Sequence, residues 1–470
     1  MNFYEAVSPL DYRYYGGDKE LFEKLRVFVS EEAFIKYELK VEVASIKVMT
    51  KYPSLEKPIC SPEVAKEVEE ASHYVTCEEV YLEEKKTHHN IRALVNCLKR
   101  RVGVKAKPFI HLFATSSDIM DTATALRLKD LSKEVILPGL VKLEKLLIEI
   151  AREGADVIQI GRTHGQHAEP ITFGFAMAEY VNRLGNRIKS IKETSENLRG
   201  KLSGAVGAYN ALSLLIDDNF SPEVFEKMVL KDLGLKPSLH STQIVEPEYL
   251  GDLVYSVISC FSVLANLSDD IRHLERTEIG EIVEEKGWER IGSSTMPHKV
   301  NPWNFEHIKS MWKAFMPRII TVFMDQISEH QRDLTNSASS RFLMEIFTAF
   351  IHSVERLNTA LGKIEIDRER MRKNLNFNKE LIVAEPLYIL LSINGHPDGY
   401  GCVRKLLAKS RKEKRSLREL IGEDKEVKLF LAKINERQRK VLNNPEEYIG
   451  ISREKTESVC EFWESYIENL

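Results

Sequence analysis

Apolar residues along most of this chain recur at intervals of three and four. Leu253, Val257, Cys260, Leu264, Leu267 and Ile271 form a heptad-like seam, the pattern of a helix packed along its length against other helices. Phe305, Ile308, Trp312, Phe315, Ile319 and Val322 repeat it, with Pro317 placed to kink the helix because it lacks an N–H and crowds the preceding turn. A third seam holds Phe173, Met177, Tyr180, Leu184, Ile188 and Ile191. A fourth runs from Thr122 to Ala151, with Leu128, Leu131 and Val135 ahead of a Pro138–Gly139 break. Period-two alternation is scarce, so the chain is expected to be all-α.

The same pattern suggests three domains. Residues 1–111 carry shorter helical patterns broken by Pro53, Pro58 and Pro62. Residues 112–365 are expected to form a central bundle of long helices, and residues 366–470 a charge-rich helical C-terminal domain. The basic run from Arg404 to Arg418 reads better as a solvated helix face than as a nucleic-acid patch. Seams this long are buried within one chain or between chains, and apolar faces on more than one side of several helices favour an oligomer.

Composition narrows the partners. Lys and Arg total 67 against 71 Asp and Glu, a net charge of −4, so no global basic field exists to hold nucleic acid or an anionic membrane. The six cysteines include no C-x-x-C pair, which reads as reduced thiols in a cytoplasmic protein. The first residues lack the basic-then-apolar pattern of a signal peptide. No apolar run approaches the roughly 20 residues of a membrane span.

Four polar stretches interrupt the helical pattern. Gly292-Ser293-Ser294-Thr295-Met296-Pro297-His298-Lys299-Val300-Asn301-Pro302 reads as a loop before a helix. Its N–H groups beside small residues could cup a carboxylate, with Lys299 as a fixed positive charge; a simple helix cap would need one Ser or Asn, not this whole string. Gly161-Arg162-Thr163-His164-Gly165-Gln166-His167-Ala168-Glu169-Pro170 sets two histidines beside an acid. Imidazole is the commonest proton shuttle near neutrality. Two alternatives stay open there: a zinc site lacking an obvious third ligand, and loop histidines bonded to backbone. Ala114 to Thr122, with Thr115, Ser116, Ser117, Asp118 and Asp121, reads on its own mainly as helix-capping chemistry. Thr87-His88-His89-Asn90 sits inside a helical pattern and is weak by itself.

Taken in order, these segments resemble the fumarase/aspartase superfamily, whose signature loop is matched by Gly-Ser-Ser-x-Met-Pro-x-Lys-x-Asn at 292–301. Within it they are similar to the adenylosuccinate lyase family. Gly-Arg-Thr-His-Gly-Gln at 161–166, Met-Pro-His-Lys at 296–299, Ser8-Pro9-Leu10-Asp11-x-Arg13-Tyr14, Gly204-Ala205-Val206-Gly207, Thr242-Gln243-Ile244 and Gln331-Arg332-Asp333-Leu334-Thr335 carry that likeness. The resemblance implies a three-domain all-α fold, a homotetramer whose active sites are shared between subunits, small-molecule nucleotide substrates, and no cofactor or metal. It implies β-elimination of fumarate from adenylosuccinate, giving AMP, and from succinyl-aminoimidazole-carboxamide ribotide.

It also implies residue roles. Ser293 matches the proton acceptor and His164 the proton donor. His89 matches a substrate-contacting histidine, and Glu306 an acid near the donor. Arg13, Tyr14, Arg332, Ser337 and Arg341 match phosphate-side contacts. Thr115, Ser116, Gln243, Lys299 and Asn301 match other substrate contacts, with His88, Asn90 and Ser294 beside them. Two positions depart from the family pattern: Asn90 stands where Asp is common, and His307 where Asn often follows the glutamate. Two rivals remain. One is another lyase or a cycloisomerase of the same superfamily. The other is a non-catalytic helical scaffold, which would be expected to have lost Ser293, His164 or Lys299.

Overall fold

The computed structural model describes residues 5–52, 58–215, 221–284 and 294–470. The described chain is all-α, and its strands make three two-stranded sheets: Ile158–Thr163 with Gln166–Thr172, Arg199–Gly200 with Lys236–Pro237, and Ile282–Glu284 with Ile364–Ile366. It divides into two compact units. The first comprises Met1–Val141, Asn186–Leu264 and Ile308–Arg356; the second comprises Lys142–Gly185, Ala265–His307 and Leu357–Leu470.

The long seams are helices. In Glu248–Leu274 every seam residue from Leu253 to Ile271 is at most 1% exposed. That seam is therefore filled within a single chain and leaves nothing for a partner subunit to cover. Burial also accounts for the apolar character of this helix, which by length and composition alone could cross a membrane. Helix Phe173–Glu196 buries Phe173, Met177, Tyr180, Leu184, Ile188 and Ile191. Polar pairs run alongside these two helices. In the first unit Ser190 meets Ser256 at 2.9 Å and Arg187 donates to Ser259 at 3.0 Å. In the second, Arg183 donates to Asn266 at 2.9 Å and the Tyr180 hydroxyl donates to Asp270. One partner index falls as the other rises, so the two helices run antiparallel.

Proline behaves differently at its two sites. Around Pro317 the helix Trp303–Phe315 gives way to a 3₁₀ turn, Met316–Arg318, before Ile319–Met324 resumes. The break expected at Pro138–Gly139 is not there. A π-turn over Ser132–Ile136 follows Ser116–Leu131, and Leu137–Glu153 continues directly. Pro138 follows directly on the π-turn, whose wider ladder, with the Leu137 N–H on the Ser132 carbonyl, admits the ring without ending the helix.

In the C-terminal part, Leu387, Leu391, Val403, Leu406, Leu417, Leu420 and Val427 form a core of their own. Helix Gly399–Glu413 carries much of the basic run and turns Val403 and Leu406 inward. Beyond it Arg415 engages Glu413, Glu419 and Glu423.

Candidate functional site

In the first unit the polar stretches converge on the start of helix Ser116–Leu131. Thr87 to Asn90 is not inside a helix as expected. Helix Cys77–Thr87 ends at His88, which is left-handed with φ 52°, and His89 is extended and caps Asn90–Arg100. The cause is local hydrogen bonding. His89 Nδ1 accepts the Arg92 N–H at 3.3 Å, and the Thr87 hydroxyl bonds to the His89 backbone. Because Nδ1 is an acceptor, the neutral ring carries its proton on Nε2, the atom that lies 3.5 Å from Ser116 Oγ. Asn90 spends its amide on the Met120 sulfur at 3.4 Å.

Two acids that sequence reading passed over as capping residues organise this end of the unit. Asp118 is fully buried and accepts the N–H groups of Thr115 at 2.8 Å, Ser203 at 3.1 Å and Gly204 at 3.2 Å. It also takes the ammonium of Lys201, which is fully buried as well and reaches the Gly204 carbonyl at 3.2 Å. Asp121 accepts the Val245 N–H at 3.1 Å and so anchors the segment that bears Gln243. Burial pushes the Asp121 carboxyl up to about 6, partly offset by the Val245 N–H and by Lys201 and Arg332. Ser203 and Ser241 hydroxyls meet at 2.8 Å. Gly207, at φ 79°, has no room for a Cβ, which would sit 2.1 Å from the Ser241 carbonyl. Two carboxylates thus bring together the segments that bear Thr115–Ser116 and Gln243, and His89, from a third segment, meets Ser116 there. Asp118 followed two serines in the sequence, but its tie to Lys201, 83 residues away, left no local signal.

The expected phosphate contacts also belong to this unit. Arg332 donates to Asn336, and Glu345 is taken by Arg318, so neither nearby acid, Glu329 or Glu345, forms an ion pair with Arg332 or Arg341 among the described residues. Asp333 accepts from the Thr335 hydroxyl at 2.6 Å, the Thr335 N–H at 2.9 Å and the Glu329 N–H at 2.9 Å. Those bonds hold its carboxyl down at about 2 and fix the turn between the candidate cations. Ser337 and Arg341 are exposed. Arg13 and Tyr14 lie on the π-turn Leu10–Tyr15, with the Tyr14 ring 5.2 Å from that of His352.

In the second unit the His164 stretch is a β-hairpin. Thr163 pairs with Gln166 across a two-residue turn, with His164 at φ 55° and Gly165 at φ 72°. Positive φ at both turn residues matches the twist of a hairpin, and His tolerates that region better than most side chains. His164 stands exposed at the tip. His167 is elsewhere: its ring packs edge-on to Phe377 at 6.2 Å, with Nδ1 3.5 Å from the Asn378 amide. Burial and then Arg162 lower its pKa. Among the described residues no group of three His, Cys, Asp or Glu side chains could hold a metal.

Of the signature loop, Ser293 lies outside the described residues. Ser294 and Lys299 are exposed in the turn that precedes helix Trp303–Phe315, and Asn301 is half-buried. Glu306 is exposed on the first turn of that helix, between inward-facing Phe305 and Ile308.

Residues 24–315 match a family model described as lyase, and residues 328–449 match one described as adenylosuccinate lyase C-terminal. The chain is 34% identical over 467 residues to an adenylosuccinate lyase of Pyrococcus horikoshii, covering 98% of each. It is 32% identical to one of Methanocaldococcus jannaschii, covering 97% of this chain and 95% of that protein. Among solved structures, the 3-carboxy-cis,cis-muconate lactonizing enzyme of Pseudomonas putida superposes with a TM-score of 0.81 at 23% identity, over 98% of this chain and 100% of the other. A fumarate lyase of Mesorhizobium sp. BNC1 gives 0.80 at 23% identity, over 93% and 97%. At such identity these two likenesses speak to the fold.

Proposed function

Because the chain belongs to the adenylosuccinate lyase family and is a C–N lyase, we propose that it eliminates fumarate from adenylosuccinate, giving AMP, and from succinyl-aminoimidazole-carboxamide ribotide. The near full-length likeness to adenylosuccinate lyases carries this reading. The placement of the candidate residues supports it.

In the proposed reaction Ser293 Oγ takes a proton from the succinyl CH₂ carbon beside a carboxylate. The electron pair delocalises into that carboxylate as an aci-carboxylate dianion, and fixed donors stabilise the charge as it grows. Lys299 and loop N–H groups are suited to this. The pair then forms the fumarate double bond while the C–N bond breaks toward nitrogen. His164, as imidazolium, protonates the leaving nitrogen. Each proton transfer contributes roughly 10²–10⁴-fold. A serine is barely ionised at neutral pH, so Ser293 needs activation by neighbouring dipoles and cations. Glu306 is assigned to the donor histidine, and His89, Thr115, Ser116, Gln243 and Asn301 to the substrate body, with His88, Asn90 and Ser294 alongside.

Arg332, Ser337 and Arg341, with Arg13 and Tyr14, are assigned to the phosphate. In favour of this, neither Arg332 nor Arg341 forms an ion pair with Glu329 or Glu345 among the described residues, Glu345 being taken by Arg318. A nucleotide is thereby preferred to the unphosphorylated substrates of a muconate-type relative. We further propose a cytoplasmic homotetramer with shared sites, within a three-domain organisation over 1–111, 112–365 and 366–470. The support is the apolar surface left on one segment: Ile320 is 59% exposed, Phe323 44%, Met324 67% and Ile327 78%. Ser293→Ala tests the mechanism. Turnover should fall by several orders of magnitude while AMP still binds; a folded variant with near-wild-type turnover removes Ser293 as the base.

A further inference from the structure

Glu281 is fully buried, yet its carboxylate is surrounded by donors. Arg162 grips it with both prongs, Nη2 to Oε1 at 2.6 Å and Nη1 to Oε2 at 3.0 Å. Gln159 donates at 2.7 Å and Asn374 at 2.8 Å. The donors come from different places. Gln159 and Arg162 lie on the first strand of the hairpin, with one residue, Thr163, between Arg162 and His164 at the tip. Asn374 lies on helix Arg368–Phe377. From the same helix Arg370 caps the carbonyls of Thr277, Glu278 and Ile279 at 3.0, 3.0 and 2.8 Å, and Asn374 adds a second bond to Ile279 at 2.9 Å. Glu281 thus projects from a turn that is itself clamped.

The position of Glu281 in the chain matters equally. It immediately precedes the strand Ile282–Glu284, which runs into the segment bearing Ser293 and Lys299. Its backbone is fixed on both sides, since its N–H donates to Leu274 and its carbonyl accepts from Asp367 at 3.0 Å. One side chain therefore fastens the hairpin of the candidate acid to the start of strand Ile282–Glu284. A buried carboxylate with two-pronged arginine geometry fixes angle as well as distance. Gly161, next to Arg162, has no space for a Cβ, which would lie 2.6 Å from the Glu169 carbonyl. The hairpin is thus tightly closed at its irregular point and has little freedom to adjust if the clamp is lost.

We propose that Glu281 is a positioning residue for the elimination: by clamping Arg162 it sets the pitch of the hairpin so that His164 meets the leaving nitrogen. This rests on His164 being the acid. Misplacement by about 1 Å can cost on the order of 100-fold in rate. Glu281→Gln keeps shape and removes the charge that orders the four donors.

The test is a double-mutant cycle with His164→Ala, measured on adenylosuccinate. In the wild-type background Glu281→Gln should lower kcat by roughly 10- to 100-fold while KM changes less than about threefold. In the His164→Ala background the same change should cost less than about twofold, because a positioning effect vanishes once its object is gone. Arg162→Lys, which keeps the positive charge but loses the fork, should reproduce the pattern and serves if Glu281→Gln does not fold. Equal losses in both backgrounds would mean a general structural role and overturn this inference alone. A His164→Ala enzyme as fast as wild type would overturn the acid assignment together with it.

Discussion

The pair Lys201–Asp118 offers the sharpest energetic prediction, because the two halves are not equivalent. Both side chains are fully buried. Removing one partner of such a pair typically costs about 3–5 kcal/mol, most of it the burden of the charge left behind. In Lys201→Met the orphaned carboxylate still accepts three backbone N–H groups, from Thr115, Ser203 and Gly204. Its loss should sit near the lower bound, about 3 kcal/mol. In Asp118→Asn the stranded ammonium keeps the Gly204 carbonyl as acceptor, and the amide NH₂ of Asn faces donors. That variant should lose about 5 kcal/mol or more. It should also respond to pH. An unpaired buried ammonium has a depressed folded-state pKa, so the unfolded chain binds more protons and stability rises with pH. Urea denaturation followed by circular dichroism at pH 7 and pH 9 measures all three quantities. Lys201→Met within about 0.5 kcal/mol of wild type, a magnitude usual for surface substitutions, or Asp118→Asn the more stable of the two, would refute the reasoning.

Other consequences are separate. Arg332→Ala and Arg341→Ala should each lose roughly 10- to 100-fold of the preference for adenylosuccinate over its dephosphorylated nucleoside, since charge-assisted bonds are the strong ones; full retention in both places the phosphate elsewhere. Asp121, held at about 6 against an ordinary 3.8, makes the folded state bind more protons than the unfolded one in that window. Wild-type stability should therefore fall relative to Asp121→Asn as pH rises from about 4 to 6 and run parallel above, and parallel thermal melts across the whole range would contradict this. Mixing inactive His164→Ala and Ser293→Ala proteins should restore some activity if sites are shared between subunits; mixed oligomers with none recovered argue for sites within single chains.

The helices were legible in the sequence because burial along a seam writes itself at every third or fourth residue, and Leu253 to Ile271 is the plainest case. Whether such a seam is covered by its own chain or by another was not legible, and from Leu253 to Ile271 the chain itself covers it. The His164 hairpin was not legible as a hairpin, because its strands are short and its turn places a histidine, not Asn or Gly, at the first positive-φ position. The break at His88 was hidden for a similar reason, depending on a Thr87 hydroxyl and a ring nitrogen rather than on a glycine or proline. The chemical segments stood out as polar interruptions between seams. The carboxylates that hold them, Asp118, Asp121 and Glu281, did not, since each acts on residues remote in sequence.

The central claim is tested most directly by incubating the purified chain with adenylosuccinate and following loss of the succinyl-purine absorbance while AMP and fumarate are quantified. The account predicts one AMP and one fumarate for each adenylosuccinate consumed. No turnover of adenylosuccinate or of succinyl-aminoimidazole-carboxamide ribotide by folded protein, with fumarate released instead from an unphosphorylated substrate such as argininosuccinate, would contradict it.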